Sequence, residues 1–581
     1  MKVLLTTLNA RYIHSSLAVR YLEKACRKKG YQLSVAEFTI NDHPDKITAA
    51  IFQSSADVVA FSCYIWNIAM TLEIADRLKQ VRPESLIILG GPEVSFEAGS
   101  MLAGNKQIDY IISGEGEAAL PELLAAIKKG CFELEGIEGL AYRQGNKIKM
   151  NGIRTPACDP DLLPFPYEQR DLQQLSDKII YYESARGCPF NCSYCLSSTD
   201  QGVRYLPLER VKKELLFLIE NEVKLVKFVD RSFNSRKERA MAIFRFLVEH
   251  KRKTTFHFEV TAHLLDREII DYLSSVPDSL FQFEIGVQST NPATLRLIER
   301  TGGFKQIKGK IEKLKEGGKV NLHLDMIAGL PGEDYQSLQR SFNDVFHLKP
   351  DQLQLGFLKL LKGTRIRKEA AQYGYKYSNN PPYEVLENNF LTYQEIIQLK
   401  GIAGILNKYY NSAAFEKSLN YLITNNYQSA FGFFADLSAF FVSKGLDQFM
   451  HSRPSLYDIL FDFYRFTIKQ DLKIFREYLK FDLLLNNRGV KLPVWANQGY
   501  LPSFKEKRSA FLRNRAIIQR YFTDLNNQSP DQIIKQLSFA VFSLDVLGDS
   551  TVTDGKQLTV VMFDHVNKRV FNVSRDFISQ I

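Results

Sequence analysis

Residues 184–195 read Ser184-Ala185-Arg186-Gly187-Cys188-Pro189-Phe190-Asn191-Cys192-Ser193-Tyr194-Cys195. Three of the seven cysteines fall in this stretch, spaced C-x-x-x-C-x-x-C on a loop after an apolar run. Three thiolates so close can grip three corners of one metal cluster, and iron–sulfur clusters are usually held by four cysteines. The fourth is missing from the loop, which leaves one iron open to an exogenous ligand. A zinc site would need a fourth ligand, and Cys158 is the nearest other cysteine. A dithiol redox pair could use Cys192 and Cys195 but would not require Cys188. A c-type haem attachment needs His after the last cysteine, where Leu196 stands.

Downstream of this loop, strand and helix patterns alternate. Strand candidates cover residues 179–184, 225–229, 255–260, 280–287, 320–327 and 352–358, six in all. Upstream the same alternation gives strands at 2–8, 32–39, 57–62, 85–89 and 110–113. Helices are expected at 17–29, 44–54, 69–81, 97–103 and 118–129. Short apolar runs divided by helical periods imply an α/β fold with a doubly wound parallel sheet. Ligands of such sheets sit beyond the carboxyl ends of the strands. Two loops there are glycine-rich: Gly90-Gly91-Pro92-Glu93-Val94-Ser95 and Ser113-Gly114-Glu115-Gly116-Glu117. Glycine at such a turn lets backbone approach a ligand closely.

Between the two halves, residues 155–170 carry four prolines, which exclude a regular helix or a central strand. Leu163, Phe165 and Tyr167 are expected to pin this connector, and Cys158 is read as a bystander. Asn379-Asn380-Pro381-Pro382 marks another boundary. Residues 383–487 have a helical, aromatic-rich pattern. Strands are expected at 539–546 and 557–564, with a hairpin turn at 566–569. The domain ranges are therefore 1–155, a linker at 156–175, 176–375 and 376–581. No metal, phosphate or nucleophile motif is visible in the last range.

The cysteine stretch resembles the cluster loop of the radical S-adenosylmethionine (SAM) enzymes. Their motif is C-x-x-x-C-x-x-C with an aromatic residue just before the last cysteine, the place of Tyr194. The resemblance implies a partial (β/α)6 TIM-type barrel and a 4Fe-4S cluster held by Cys188, Cys192 and Cys195. SAM would chelate the open iron, and one electron would cleave it to a deoxyadenosyl radical. Residues 283–289 and 326–332 look like the fourth- and fifth-strand signatures of that superfamily. By the same resemblance Tyr194, Asp230, Glu259, Glu284 and Gln288 are candidate catalytic-site residues, and Ser289, Asp325 and Gly329 candidate cofactor contacts. The usual Gly-Gly-Glu after the second strand is replaced by Val229-Asp230-Arg231-Ser232-Phe233-Asn234, with Asp230 as the substitute holder of the methionine amine.

The first domain resembles the cobalamin-binding domain of one branch of that superfamily, with Gly-Gly-Pro after the fourth strand and Gly-Glu-Gly-Glu after the fifth. This implies cobalamin contacts at Asn9, His14, Ser62, Gly90, Gly91, Pro92, Glu93, Ser95, Gly114, Glu115 and Gly116. The Asp-x-His-x-x-Gly motif of methionine-synthase-type cobalamin proteins is absent. His14 is accordingly expected not to ligate cobalt, but to cap the helix starting near Ser15 or Ser16. The last region resembles an uncharacterised C-terminal domain found behind some cobalamin-dependent radical enzymes.

The implied activity is methyl transfer from methylcobalamin to a weakly activated carbon. The alternatives are radical rearrangement or cyclisation without methyl transfer, an RNA-modifying radical enzyme, and a non-catalytic cobalamin- or redox-sensing protein. Expected partners are a small-molecule or peptide substrate and a reductant such as flavodoxin or ferredoxin. The net charge of +10 is mild for 581 residues, and the lysines of the last region fit solvated helix faces rather than a nucleic-acid surface. The longest uncharged run, 58–72, is too short and polar to span a membrane. The first residues read as a strand rather than a signal peptide, and a cytoplasmic location is the default. Replacing Cys188, Cys192 and Cys195 by alanine should abolish the brown absorbance of the anaerobically reconstituted protein. A triple variant that keeps full iron and sulfide would refute the ligand assignment.

Overall fold

The computed structural model describes residues 1–130, 133–153, 163–199, 202–496, 501–522, 532, 535–548 and 558–579. Cys158 and most of the proline-rich connector lie outside them. The chain divides into two compact units: Met1–Asp351 with Leu355–Ile396, and Gln352–Gln354 with Ile397–Ile581.

The first unit opens with a sheet of seven strands: β1 (Val3–Asn9), β2 (Leu33–Thr39), β3 (Val58–Ser62), β4 (Leu86–Gly90), β5 (Tyr110–Ile112), β6 (Leu140–Gln144) and β7 (Lys147–Met150). Their order is β2-β1-β3-β4-β5-β6-β7. The first five are parallel, while β6 and β7 add an antiparallel hairpin. The strand pattern of the sequence stops at β5 because β7 reads Lys-Ile-Lys-Met and is largely exposed. An edge strand with lysines lacks the continuous apolar run that identifies buried parallel strands.

Both faces of the sheet are covered. Helices Pro44–Gln53 and Ile68–Val81 pack on one side through Ile47, Ile51, Ile68 and Ile74. Helices Leu17–Lys28 and Gly116–Lys129 pack on the other through Val19, Leu120, Leu123 and Leu124. Helix Leu17–Lys28 starts at Ser16, whose hydroxyl accepts from the Val19 N–H at 3.3 Å. The cap is thus Ser16 and not His14, because a hydroxyl in extended backbone reaches the third amide directly.

Six strands form the second sheet: β8 (Ile180–Tyr182), β11 (Leu225–Phe228), β12 (Thr255–Glu259), β13 (Phe281–Gln288), β14 (Val320–Ala328) and β15 (Gln352–Phe357), adjacent in chain order. From β8 to β14 they are parallel. Along β13 burial alternates strictly. Phe281 and Phe283 turn outward onto Phe244 of helix Lys237–Glu249. Gln282, Glu284 and Gln288 alternate with these and are only partly buried. The period of two therefore writes an apolar outer face and a polar inner one.

Two short strands interrupt this pattern. β9 (Ala185–Cys188) and β10 (Gly202–Tyr205) form an antiparallel hairpin that carries the cysteines between its arms. Gly187 has φ +92°, and a Cβ there would stand 2.1 Å from the Gly202 carbonyl, so only glycine fits. The unit does not end near residue 375. Tyr375 and Asn388 both donate to the Gly329 carbonyl, at 2.9 and 3.0 Å. Strands Lys376–Tyr377 and Val385–Glu387 pair beyond them.

The second unit holds helices Glu416–Asn426, Ala430–Ser443, Arg453–Phe463 and Leu472–Asn486, followed by a three-stranded antiparallel sheet, Leu537–Phe542, Thr559–Asp564 and Arg569–Asn572. The hairpin turn expected at 566–569 joins the last two strands. Buried Asp482 accepts from the Ser418 N–H at 2.8 Å and so caps helix Glu416–Asn426 from a neighbouring helix. Lys480, 0 % exposed, donates to the Val541 carbonyl at 2.7 Å. No helix among the described residues is long and apolar enough to cross a membrane.

Gly91 carries the turn that follows β4. Its φ is +104°, and a Cβ would lie 2.5 Å from the Cys63 carbonyl. Gly91→Ala should therefore destabilise the first unit by about 1–3 kcal/mol, read as a lower thermal midpoint. An unchanged midpoint would contradict the close approach.

Candidate active site

A cavity of about 800 Å³ opens at the carboxyl ends of β1, β3, β4 and β5. Asn9, His14, Ser62, Gly90, Gly91, Pro92, Ser95, Gly114, Glu115 and Gly116 line it. Across from them stand Tyr181, Glu183, Arg186, Leu196, Thr199, Val229 and Arg231 of the second sheet and its cluster hairpin. The floor runs into an apolar slot of Leu5, Val19, Ala60, Ile88, Ile112 and Leu120 between sheet and helices. Tyr64 and Trp66 form a stacked pair in the wall, centroids 4.4 Å apart. Asn67 fixes the loop beneath them: it accepts from the Tyr64 N–H at 2.7 Å and donates to the Leu8 and Ser62 carbonyls. Ser95 joins the two glycine loops, donating to the Gly91 carbonyl at 2.8 Å and accepting from the Gly114 N–H at 3.2 Å.

Two expected cavity residues behave differently. Glu93, 3 % exposed, does not line the cavity; its carboxylate is taken by Lys362 at 3.1 Å and by the Tyr383 hydroxyl. His14 does line it, with Nδ1 hydrogen-bonded to the Tyr181 hydroxyl at 2.7 Å. Burial, then Arg11, holds the His14 imidazole below its ordinary range, so it is neutral at pH 7.

The two sides of the cavity are joined by charge. Arg186, on β9, pairs with Glu117 at 2.6 Å, Glu183 at 2.8 Å and Glu115 at 3.4 Å. Arg204, on β10, pairs with Glu115 at 2.6 Å. The glutamates of the Gly-Glu-Gly-Glu loop thus clamp the cluster hairpin. Burial pushes the Glu183 carboxyl up to about 7 even with Arg186 beside it.

Inside the second sheet a layer of charges faces the lumen. Glu284 accepts from His257 Nε2 and Lys227 Nζ, both at 2.9 Å. The His257 contact, helped by Lys227, draws the Glu284 carboxyl well below its usual range. Asp325 lies against Glu284, and burial with that neighbouring charge pushes it up to about 8. Burial also raises Glu259, against the pull of Arg231. Gln288, at the bulge of β13 with φ +68°, holds a buried Oε1 with no hydrogen-bond partner among the described residues. An orphaned acceptor beside the cluster loop suits a bound ligand that donates.

Other expected residues serve the frame. Asp230 accepts from the Ser184 N–H at 2.7 Å and the Ser184 hydroxyl at 2.6 Å, which ties β11 to the start of the cluster hairpin. Burial raises it to about 6 despite these donors. Ser289 donates to buried Glu333 at 2.6 Å. Gly329 admits Val385, whose Cγ1 would stand 2.8 Å from a Cβ.

Cys192 is buried and Cys188 and Cys195 half-buried. Tyr194 lies between them in sequence, its hydroxyl raised by burial. Arg300 turns Nη1 to within 3.7 Å of Cys192 Sγ. Among the described residues no three His, Cys, Asp or Glu side chains converge on one metal ion. A four-iron cluster instead presents separate irons to separate thiolates. No motif gives a role to Arg186, Arg204, Lys227, His257, Tyr181 or Arg300. Lys227 and His257 left a trace, as polar residues within otherwise apolar strands; Arg300 left none.

A nucleotide-type sheet whose carboxyl edge faces a six-stranded partial barrel with a three-cysteine loop defines a two-cofactor α/β protein. Family models agree: residues 3–124 match the B12 binding domain, 182–345 the radical SAM superfamily, and 371–563 a protein of unknown function (DUF4080). The chain thus carries a B12 binding domain, a radical SAM domain and a C-terminal domain of unknown function. It is 25 % identical over 363 residues to an uncharacterised methyltransferase of Pyrococcus horikoshii, PH0819, covering 61 % of this chain and 76 % of the relative. It is 26 % identical over 312 residues to the cobalamin-dependent radical SAM methyltransferase TokK of Streptomyces tokunonensis, covering 50 % of this chain and 44 % of TokK. This chain therefore spans less than half the length of TokK. Among solved structures, the cobalamin-dependent SAM radical enzyme OxsB shares the fold with a TM-score of 0.59 at 15 % identity, over 91 % of this chain and 84 % of that one.

Arg186→Met would leave three carboxylates without their common cation. Removing one partner of a buried pair costs about 3–5 kcal/mol, so the thermal midpoint should fall sharply, and adding Glu117→Gln should recover part of it. A neutral single variant would show that the clamp is not needed.

Proposed function

We propose that this protein is a cobalamin-dependent radical SAM enzyme that transfers a methyl group to a carbon atom of its substrate. One observation carries the reading: a single cavity has the glycine loops of a B12-type sheet on one wall and the cluster hairpin and barrel mouth on the other. When bound, the cluster with SAM supplies a deoxyadenosyl radical, and the corrinoid supplies the methyl group. Cys188, Cys192 and Cys195 would hold the cluster. Gly90–Pro92, Ser95, Ser62 and Gly114–Gly116 would bear the corrin, with its nucleotide tail in the apolar slot.

The chain's own groups account for the rest. Asn9 and Ser62 offer polar contacts at the strand ends. The hydrogen bond between His14 Nδ1 and the Tyr181 hydroxyl holds the neutral imidazole in the cavity wall. Ionised Glu284 stands beside protonated Asp325, and the Gln288 Oε1 adds an acceptor, so charge and donors are paired as recognition of a zwitterionic ligand requires. The Phe228, Phe258, Phe281 and Phe283 layer excludes water behind them. Domain borders near 155 and 175, a sequence border near 375 that falls within the first compact unit, a flavodoxin- or ferredoxin-type electron donor and a cytoplasmic location complete the reading.

The test is anaerobic reconstitution of the full chain with iron, sulfide, methylcobalamin, SAM and a strong reductant, incubated with a cell extract. Mass spectrometry should detect deoxyadenosine and S-adenosylhomocysteine together, with one metabolite heavier by a methylene. Deoxyadenosine without S-adenosylhomocysteine would sink methyl transfer and leave a radical rearrangement.

A further inference from the structure

Arg300 belongs to none of the motifs above, yet its guanidinium reaches a cluster cysteine. It follows helix Pro292–Leu297, and its own N–H closes back on the Leu295 carbonyl at 2.9 Å. The segment is stapled to the cluster loop, because the Ser193 N–H donates to the Ile298 carbonyl at 3.0 Å. From there the guanidinium forks. Nη2 donates to the Gly286 carbonyl at 2.5 Å, and Nη1 points at Cys192 Sγ, 3.7 Å away. Glycine at 286 is what admits it: a Cβ there would meet Arg300 Nη2 at 3.2 Å and the Gln288 amide at 2.1 Å.

The countercharge is the informative part. The guanidinium reaches two acceptors, the Gly286 carbonyl and Cys192 Sγ. No carboxylate pairs with it among the described residues. A largely enclosed guanidinium without a carboxylate is costly unless another anion faces it. Here the anionic group within reach is the Cys192 thiolate with what it holds. The reduction potential of an iron–sulfur cluster is set by net charge, hydrogen bonds to sulfur and solvent exposure. Gaining one electron adds one negative charge to the cage, and a fixed cation beside one of its sulfurs favours the reduced form over the oxidised one.

We infer that Arg300 is a redox-positioning residue, whose charge at Cys192 raises the potential at which the cluster accepts an electron. The electron comes from an external one-electron donor of the low-potential flavodoxin or ferredoxin class; the donor is oxidised by one electron as the cluster is reduced by one, and no proton need move. This rests on the cluster assignment under Proposed function, and it concerns a step that precedes SAM cleavage.

The experiment is a redox titration of the reconstituted full chain without SAM, followed by the electron paramagnetic resonance of the reduced cluster. Wild type, Arg300→Lys and Arg300→Gln are compared at equal iron and sulfide content. Arg300→Gln keeps a donor for the Gly286 carbonyl but removes the charge. At a fixed poise its reduced-to-oxidised ratio should fall about tenfold, the scale of one hydrogen bond to a charged group. Arg300→Lys should lie nearer wild type. Identical titrations of wild type and Arg300→Gln would overturn the inference and leave the cluster assignment intact. So would Arg300→Lys titrating with Arg300→Gln, since charge would then not be the cause. If neither variant assembles a cluster while wild type does, Arg300 builds the cage, and its redox role is rejected. A wild-type protein without iron would instead remove the functional reading itself.

Discussion

Arg186 stands two residues before Cys188 and among three glutamates, two of them from the other α/β layer. The clamp it makes with Arg204 decides where the first sheet meets the barrel. Neither half could place its ligand loops alone: the glycine loops give one wall of the cavity and the hairpin gives the other. The ion pairs are buried enough that leaving one member unpaired would be expensive, so they favour one docking over its neighbours. They also put charge at the rim and leave the floor apolar, which suits a flat macrocycle with polar side arms and an apolar tail.

Glycine determines how closely these loops approach. Gly91 lies on the Cys63 backbone and Gly187 on that of Gly202. At Gly91 a side chain would push the loop off the Cys63 backbone, and at Gly187 it would force the two arms of the hairpin apart. The barrel follows a different rule. Its strands alternate phenylalanine outward with Gln282, Glu284 and Gln288 inward, so the same residues that seal the outer core leave a charged lumen. Within that lumen Glu284 is held ionised by His257 and Lys227, while Asp325 beside it keeps its proton. Two carboxyls in contact cannot both be charged at low cost.

Periodic features were legible in the chain before any contact was known. Five strands of the first sheet and six of the second were legible because buried parallel strands are short apolar runs with turn residues between. The cysteine spacing identified the cluster loop because three ligands within eight residues must share a site. The edge hairpin β6–β7 was not legible, since its solvent side carries lysines. Nor was the continuation of the first unit to Ile396, which rests on Tyr375, Asn388 and Tyr383 reaching across to Gly329 and Glu93.

Tertiary structure alone decided what each polar residue does. Asp230 and Glu93 sit in motif-like positions, but their carboxylates are taken by Ser184 and by Lys362 with Tyr383. Arg300 is 108 residues from Cys192 in sequence and 3.7 Å away in space. Local periodicity records which face of a strand is buried. It does not record which side chain from a distant segment arrives there, and that arrival settles whether a charge is a partner, a ligand or a source of field.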